Sequence, residues 1–520
     1  MRRVSHAYMT RVMRDRLTRS VKFVHQEVTL TESARNVADL VSASALRGPQ
    51  HTALIDVASG AQYTWSQVDA AVNAQARALV DAGVSPGDRV VVRLPTGPEF
   101  CVAVFGVLRA GGVVVPAGPG QPLRELDRLI ADSGARLLLG DGGGADVAVM
   151  GPPALLVSDE PEFAPVGGDE DLAVLGYTSG TSGVPRGAML THRALIANVG
   201  QCAALRPAPV TAGDRVLLAL PLFHVYGLGP GLFQVAGAGA TAVLLERFDA
   251  DAALTAVREH RITTIVGVPP MYQAVLALPV ERLGDSLSTV RLFTSGAAPL
   301  SKGVLDAMRD AVGLPIYEGY GLTETGPVLT STLVGGFPKP GSVGRPLPGV
   351  ELRLVDTDGR VLDQDEDEPG TGLVSVRGAN LFSGYWPDGN HGPDAQGWFR
   401  TGDVGYLDAE GDLHLVDRAG DLIIVNGFNV YPHEVEKVLT ELEQVAEAAA
   451  VGVPDERTGE SVKAVLVLHE GAELDVDTVV QHCAARLAKF KVPTVVEFAT
   501  ELPHSATGKL ARARLRLPLA

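Results

Sequence analysis

Short runs of branched aliphatic residues recur through the first third of the chain, separated by helical patterns, and this alternation most restricts the fold. Val90-Val91-Val92, Val113-Val114-Val115 and Leu137-Leu138-Leu139 are apolar at every position, so each strand is expected to be covered on both faces. Strands of that kind alternating with helices indicate parallel α/β layers. Thr64 with Gln67 three residues on forms a capping box. Val68, Val72, Leu79 and Val80 supply the expected apolar face of the helix that follows, and Gly83 ends it. At 520 residues the chain suits two or three domains with ample core.

A further apolar run, Leu172-Ala173-Val174-Leu175, reads as a buried strand and leads into Tyr177-Thr178-Ser179-Gly180-Thr181-Ser182-Gly183-Val184-Pro185-Arg186-Gly187. Glycines let backbone N–H groups converge into an anion nest. The hydroxyls of Thr178, Ser179, Thr181 and Ser182 add donors, and Arg186 adds a planar, permanent cation. The spacing is not that of a P-loop, G-x-x-x-x-G-K-[ST]. A Ser/Gly-rich surface turn is the plainer alternative. The buried strand before the run, and its donors without any acidic residue, favour a loop for polyphosphate.

A net charge of −17 argues against a nucleic-acid surface. An anionic nucleotide is then to be held by local donors and a metal ion. Cys101, Cys202 and Cys483 are too few and too far apart for a disulfide framework or a zinc pattern, which fits a reducing cytoplasm. Residues 1–25 form a basic leader with no apolar segment of the secretory type. It reads either as a disordered arm or as an over-long start with the initiator at Met9 or Met13. Residues 225–245 carry no charge and are long enough to span a bilayer, but five glycines, Pro230 and Gln234 split them into a buried helix and a strand. No integral membrane segment is therefore expected. The acidic run 363–368 reads as a solvated turn. Near Asp417-Arg418-Ala419-Gly420-Asp421 the pattern changes to a compact α+β unit of about 100 residues, with helices near 432–442 and 476–487 and strands near 448–453, 461–469 and 494–498.

The phosphate-type loop resembles that of the adenylate-forming, or AMP-binding, superfamily, and the resemblance extends from about residue 30 to residue 510 with motifs in the family's order. Tyr320-Gly321-Leu322-Thr323-Glu324-Thr325 resembles the segment whose glutamate, here Glu324, holds Mg²⁺ and whose threonine, here Thr323, contacts phosphate. Trp398-Phe399-Arg400-Thr401-Gly402-Asp403 resembles the ribose motif; ionised Asp403 can accept from both ribose hydroxyls. Arg418 matches a second nucleotide contact. Gly296, Ala297, Ala298 and Tyr320 also fall on nucleotide positions. Lys509, in Thr507-Gly508-Lys509-Leu510, matches the lysine that bridges carboxylate and α-phosphate. Asn426-Gly427-Phe428 resembles the loop that opens a tunnel for the thiol arm of CoA, with Gly427 and Phe428 as its contacts.

The resemblance implies an acyl pocket lined by His224, Val225, Tyr226, Val268, Ser295, Gly319 and Gly321, with His224 as a gate beside the carboxylate. No Asp lies between positions 221 and 236, where the ammonium group of an α-amino acid would need one, so that substrate class is disfavoured. Asn426-Gly427-Phe428-Asn429-Val430-Tyr431-Pro432 is similar to fatty acyl-CoA ligases and the 320–328 segment to the cinnamate/coumarate branch, so the acid stays open. Three positions depart from the family pattern: Arg186 stands where lysine is usual, Gly420 where lysine or aspartate is usual, and Glu318 where glutamine is common.

The implied fold is α/β: a large N-terminal domain of layered α/β sheets plus a β-barrel-like subdomain (26–417), a hinge at 418–421 centred on Gly420, and a small mobile α+β C-terminal domain (422–520). The implied activity is an ATP- and Mg²⁺-dependent carboxylic acid:CoA ligase acting through an acyl-adenylate. Its partners are a small carboxylic acid and CoA, and oligomerisation is left open. Loading of an acyl carrier protein, adenylation of nitrite, and a nucleotide-binding pseudoenzyme are the alternatives.

Overall fold

The computed structural model describes residues 34–142, 147–157, 161–178, 185–362, 370–418, 421–425, 428–455, 457–504 and 510–516. The basic leader and the acidic run 363–368 lie outside these residues. Four sheets organise the described residues. The six-stranded sheet has the order Ala148–Met150, Leu137–Gly140, Arg89–Arg93, Val113–Pro116, Leu172–Thr178, Arg186–Thr191. It is parallel except for its last pair. The three aliphatic runs lie here at 0–3% exposure, as strands covered on both faces should.

The nine-stranded sheet has the order Arg345–Pro346, Val328–Ser331, Ile316–Gly321, Leu292–Ser295, Thr264–Gly267, Arg215–Leu218, Thr241–Leu244, Thr52–Asp56, Gln62–Thr64. Its interior strands are parallel and both ends are closed by antiparallel pairs. A four-stranded antiparallel sheet, Val350–Val355, Gly372–Gly378, Phe399–Leu407 and Leu413–Arg418, is the half-barrel. The last sheet joins Phe428–Val430, Ile423–Val425, Gly459–Leu468 and Val445–Asp455, with Val495–Ala499 parallel to Gly459–Leu468.

Local signals act as the sequence suggests, with small shifts. The Thr64 N–H donates to Gln67 Oε1 at 2.8 Å, and the Gln67 N–H to Thr64 Oγ1 at 3.3 Å, opening the helix Trp65–Asp81. Val68, Val72 and Leu79 are buried, but Val80 is 43% exposed. One residue turns a helix by about 100°, so the position beside Leu79 falls off the stripe. This helix packs on Pro98–Arg109, all of whose residues except Glu99 are buried. A Cβ on Gly106 would stand 2.6 Å from Gln75 Cγ, so glycine sets their close approach. Cys101 is core here, and all three cysteines are buried and free.

The uncharged stretch near 225–245 becomes a π-helical turn Gly227–Phe233, a helix Gln234–Ala238 and the strand Thr241–Leu244. Among the described residues no helix is long and apolar enough to cross a membrane. Beyond position 422 a separate apolar cluster gathers Ile423, Val430, Val435, Leu439, Ala464, Leu466, Val479 and Cys483. The helices there, Pro432–Leu439 and Val476–Ala484, are each three residues shorter than the sequence suggests.

Candidate active site

The strand Leu172–Thr178 turns back as Arg186–Thr191, with Thr178 opposite Arg186 and Tyr177 opposite Gly187. Between them, Ser179, Gly180, Thr181, Ser182 and Gly183 lie outside the described residues. The hairpin's base is held on several sides. Tyr177 Oη donates to Asp132 at 2.5 Å. A Cβ on Gly176 would come within 2.7 Å of Thr323 Cγ2, so glycine admits Thr323 against the strand. The 383–386 segment is laced to Arg186–Thr191 by backbone bonds: Ser383 N–H to Met189 O at 2.9 Å, Met189 N–H to Gly384 O at 3.0 Å, Trp386 N–H to Gly187 O at 2.8 Å.

That lacing delivers a residue the sequence reading did not single out. Tyr385 Oη donates to Glu324 Oε1 at 2.6 Å, and the Arg186 guanidinium carbon lies 3.9 Å from the centre of the Tyr385 ring. Glu324 sits in a single 3₁₀ turn, Thr323–Thr325, is 8% exposed, and its carbonyl accepts from the Phe382 N–H at 3.0 Å. The buried Thr325 locks the turn, accepting from the Leu322 N–H at 2.9 Å and donating to Pro327 O at 2.6 Å.

At the other end of the same run, Tyr320 Oη donates to Asp403 Oδ2 at 2.5 Å. The Thr-Gly-Asp triplet is a bulge inside the strand Phe399–Leu407. Leu373 pairs with Val404 and Ser375 with Arg400, which leaves Thr401, Gly402 and Asp403 opposite Val374. Gly402 has φ +79°, a conformation that favours glycine. Asp403 is 5% exposed, and Arg418 stands opposite it in the next strand.

The predicted acyl residues gather at the C-terminal ends of adjacent parallel strands, where open α/β sheets bind ligands. Gly267, Ser295 and Glu318 are in register across three of them. Val268 follows the strand Thr264–Gly267 and caps the start of the helix Pro269–Leu276. A Cβ on Gly296 would stand 2.9 Å from Tyr226 Cζ, so the Tyr226 ring fills the space beside that glycine. Ala297 follows with φ +66°, a strained setting for a non-glycine residue at about 1 kcal/mol. Beyond half-exposed Ala298, the loop is pinned by Glu318 Oε1, which accepts from the Leu300 N–H at 3.2 Å. Burial pushes the Glu318 carboxyl up to about 8, an effect the Leu300 N–H partly opposes. The Ser295 hydroxyl is buried and has no partner among the described residues.

His224 Nδ1 accepts from the Tyr226 N–H at 3.2 Å, which places the proton of the neutral ring on Nε2. Val225 beside it is half-buried. Gly321 has a packing reason of its own. A Cβ on Gly321 would stand 1.8 Å from Pro327 O, so the backbone just before the neighbouring antiparallel strand requires glycine there, whereas one on Gly319 would meet Thr330 O at 3.4 Å, an ordinary contact.

Phe428 is exposed and stacked on Phe490 at 4.8 Å between ring centres. Lys509, Gly420 and Gly427 lie outside the described residues. A signal for Tyr385 existed in the Gly384-Tyr385-Trp386-Pro387 cluster between strands, but its two polar partners are 61 and 199 positions away.

The model of the AMP-binding enzyme family matches residues 41–386, and that of the AMP-binding enzyme C-terminal domain matches 434–509. The chain belongs to the AMP-binding enzymes. A feruloyl-CoA synthase from Amycolatopsis sp is 38% identical to this AMP-binding enzyme over 88% of the chain and 94% of the relative. A long-chain-fatty-acid–CoA ligase from Bacillus subtilis is 31% identical over 92% and 94%. Among solved structures, ATP-bound MatB from Rhodopseudomonas palustris superposes with a TM-score of 0.84 at 33% identity, covering 92% of this chain and 98% of that one. o-Succinylbenzoate CoA synthetase (MenE) from Bacillus subtilis, in complex with its acyl-adenylate intermediate, superposes with 0.81 at 30% identity, covering 94% and 99%. Magnesium, standard in this family, fits the donor set at hand. A buried carboxylate oriented by a phenol, with a threonine hydroxyl one residue away, offers the hard oxygen ligands that Mg²⁺ prefers.

Proposed function

We infer that this ATP-dependent acid–thiol ligase activates an aromatic carboxylic acid of the hydroxycinnamate kind as its acyl-adenylate and passes the acyl group to CoA. The observation that carries the reading is the convergence on one strand and turn, residues 320–324, of two polar pairs. Tyr320 with Asp403 suits a ribose, and Glu324, beside Thr323 and the Thr178–Arg186 hairpin, suits phosphates. The acyl strand ends, with Tyr226 beside Gly296, adjoin that line.

In the first half-reaction a carboxylate oxygen attacks the α-phosphorus of ATP and the bond to pyrophosphate breaks. Asp403 accepts from the ribose hydroxyls while Tyr320 holds its other oxygen. Loop donors from Thr178 to Gly183, with Arg186, hold the β- and γ-phosphates, and Gly296, Ala297 and Ala298 border the nucleotide. Mg²⁺ held by Glu324 supplies positive charge against the phosphate oxygens when bound. Lys509 bridges the carboxylate and the α-phosphate, and His224 borders the carboxylate. In the second half-reaction the thiol sulfur attacks the acyl carbonyl, AMP leaves, and the thiol arm runs past Gly427 and Phe428. The division into 26–417, a hinge at 418–421 with Gly420, and a mobile 422–520 is supported by the separate apolar cluster after position 422.

The aromatic acid is supported by the 38% identity to a feruloyl-CoA synthase and by the tyrosine wall at Gly296. The buried free cysteines support a cytoplasmic setting. Pyrophosphate release across ferulate, coumarate, cinnamate, C6–C16 fatty acids and nitrite, with CoA or carrier proteins as acceptors, tests the reading. The highest kcat/KM is expected for a hydroxycinnamate with CoA. A preference for a fatty acid, or activity with nitrite alone, overturns the substrate, and a preference for a carrier protein overturns the acceptor.

A further inference from the structure

Glu324 and Arg186 lie 138 positions apart and are each fastened to the same third residue. The Tyr385 hydroxyl donates to Glu324 Oε1 at 2.6 Å. The face of its ring carries the Arg186 guanidinium at 3.9 Å, well inside the range of a cation–π contact. Its backbone is not free to wander. The residues on either side bond to the strand that begins at Arg186, through Met189 N–H to Gly384 O and Trp386 N–H to Gly187 O. The Phe382 N–H bonds to the carbonyl of Glu324 itself, and the Phe382 and Tyr385 rings meet edge to face at 5.1 Å. Trp386 Nε1 donates to the carbonyl of Asp132, whose carboxylate accepts from Tyr177. The 382–386 segment is thus stitched to the base of the phosphate-type loop on one side and to the Glu324 turn on the other.

The identity of the cation matters to this arrangement. A guanidinium is planar and stacks on an aromatic face, whereas an ammonium is a compact, strongly hydrated point charge. Arg186 occupies the position where lysine is usual in chains of this pattern, and here it has an aromatic face to lie on. The ring holds the cation by its face and the carboxylate by its edge hydroxyl. It thus contacts two opposite charges at once, through two different parts of one side chain.

We propose that Tyr385 is a positioning residue that sets Arg186 and Glu324 as separate, oriented charges for the polyphosphate and its magnesium ion. The proposal rests on the nucleotide reading of this site but not on which acid is used. The hydroxyl orients the carboxylate, as outer hydrogen-bond partners orient metal ligands. The ring orients the guanidinium and frees its N–H fork for phosphate oxygens.

The test separates the two roles by equilibrium binding without any acid substrate, so that it is independent of turnover and of substrate choice. ATP affinity is measured by calorimetry across a magnesium titration. Tyr385→Phe keeps the ring and removes the hydroxyl. The half-saturating magnesium concentration should rise by about tenfold, while affinity for metal-free ATP stays within about twofold. Arg186→Lys should do the reverse, weakening metal-free ATP by about twofold to fivefold and leaving the magnesium midpoint in place. Tyr385→Leu should show both defects. Adding Arg186→Lys to Tyr385→Leu should weaken metal-free ATP no further, because the stack is already lost. Equal magnesium midpoints for the native protein and Tyr385→Phe overturn the proposal. So does a metal-free ATP affinity in Tyr385→Leu equal to that of Tyr385→Phe. Unfolding curves accompany each variant. If Tyr385→Leu does not fold, Tyr385→Phe and Arg186→Lys still decide both arms. Failure of the ligase reading looks different: ATP binding behaves as stated, and no carboxylic acid releases pyrophosphate.

Discussion

The proposed nucleotide side and the proposed acyl side of this site are built by different means. On the nucleotide side, directional polar pairs join elements distant in sequence, Tyr320 to Asp403 and Tyr385 to Glu324, each around a carboxylate at 5–8% exposure. On the acyl side, shape dominates: the Tyr226 ring fills the space beside Gly296, and Gly321 is small because the backbone at Pro327 passes close by. The first kind of construction tolerates little chemical change, since a buried carboxylate stripped of its partner keeps its desolvation cost. The second can change substrate with a single methyl group. Common chemistry and variable specificity can therefore share one row of strand ends.

The comparison breaks most plainly at its polar extreme. Lys509→Ala should lower adenylation by roughly a thousandfold. Supplied with synthetic acyl-adenylate, the variant should still form thioester. Stopped-flow measurement of each half-reaction checks this, and equal loss in both would remove Lys509 from the first step.

Glu324→Gln keeps shape and removes charge. It should cost roughly a hundredfold in kcat, with little change in binding of the acid. A magnesium titration of initial rates would show it, and an unaltered magnesium dependence would mean that the polar side is not organised around this carboxylate.

Gly296→Ala probes the packing side. Its new methyl meets Tyr226 Cζ at 2.9 Å, so the ring has to shift. The kcat/KM for aromatic acids should fall by about tenfold, with the Kd for ATP changing less. A larger loss in ATP affinity than in acid specificity would erase the distinction between the two sides.

Glu318→Gln should affect turnover least and the pH dependence of stability most. The Glu318 carboxyl is raised to about 8 by burial, so the folded protein keeps a proton that the unfolded chain releases in the ordinary glutamate range. The stability tied to that proton is complete below the unfolded value and is lost as pH climbs towards 8. Denaturant unfolding from pH 5 to 9 should show the native protein losing on the order of 1–3 kcal/mol relative to the variant over that interval. Parallel curves would show that Glu318 ionises normally.

Much of this architecture was legible in the residues because it depends on local patterns. Aliphatic runs covered on both faces, the Thr64–Gln67 box and the strand before the hydroxyl-rich loop each need only neighbouring positions. Val80 was misplaced because the width of an apolar stripe depends on what packs against it. That Thr401-Gly402-Asp403 forms a bulge was not legible locally, because a bulge exists only relative to the opposing strand, and Val374 lies 27 positions before Thr401.

What the chain determined by itself was its set of parts: the order of strands and helices, the family motifs, and the candidates Glu324, Asp403, Arg186 and Lys509. What the tertiary structure decided was their pairing. Tyr385 gains a role only when the 382–386 segment is laced between two other elements, Gly176 and Gly296 only when Thr323 and Tyr226 arrive beside them, and Glu318 only when burial removes the water around it. The physical reason is common to all of these. Propensity and periodicity act within a few residues, whereas hydrogen bonds, close contacts and desolvation act across space, between positions that only the folded chain brings together.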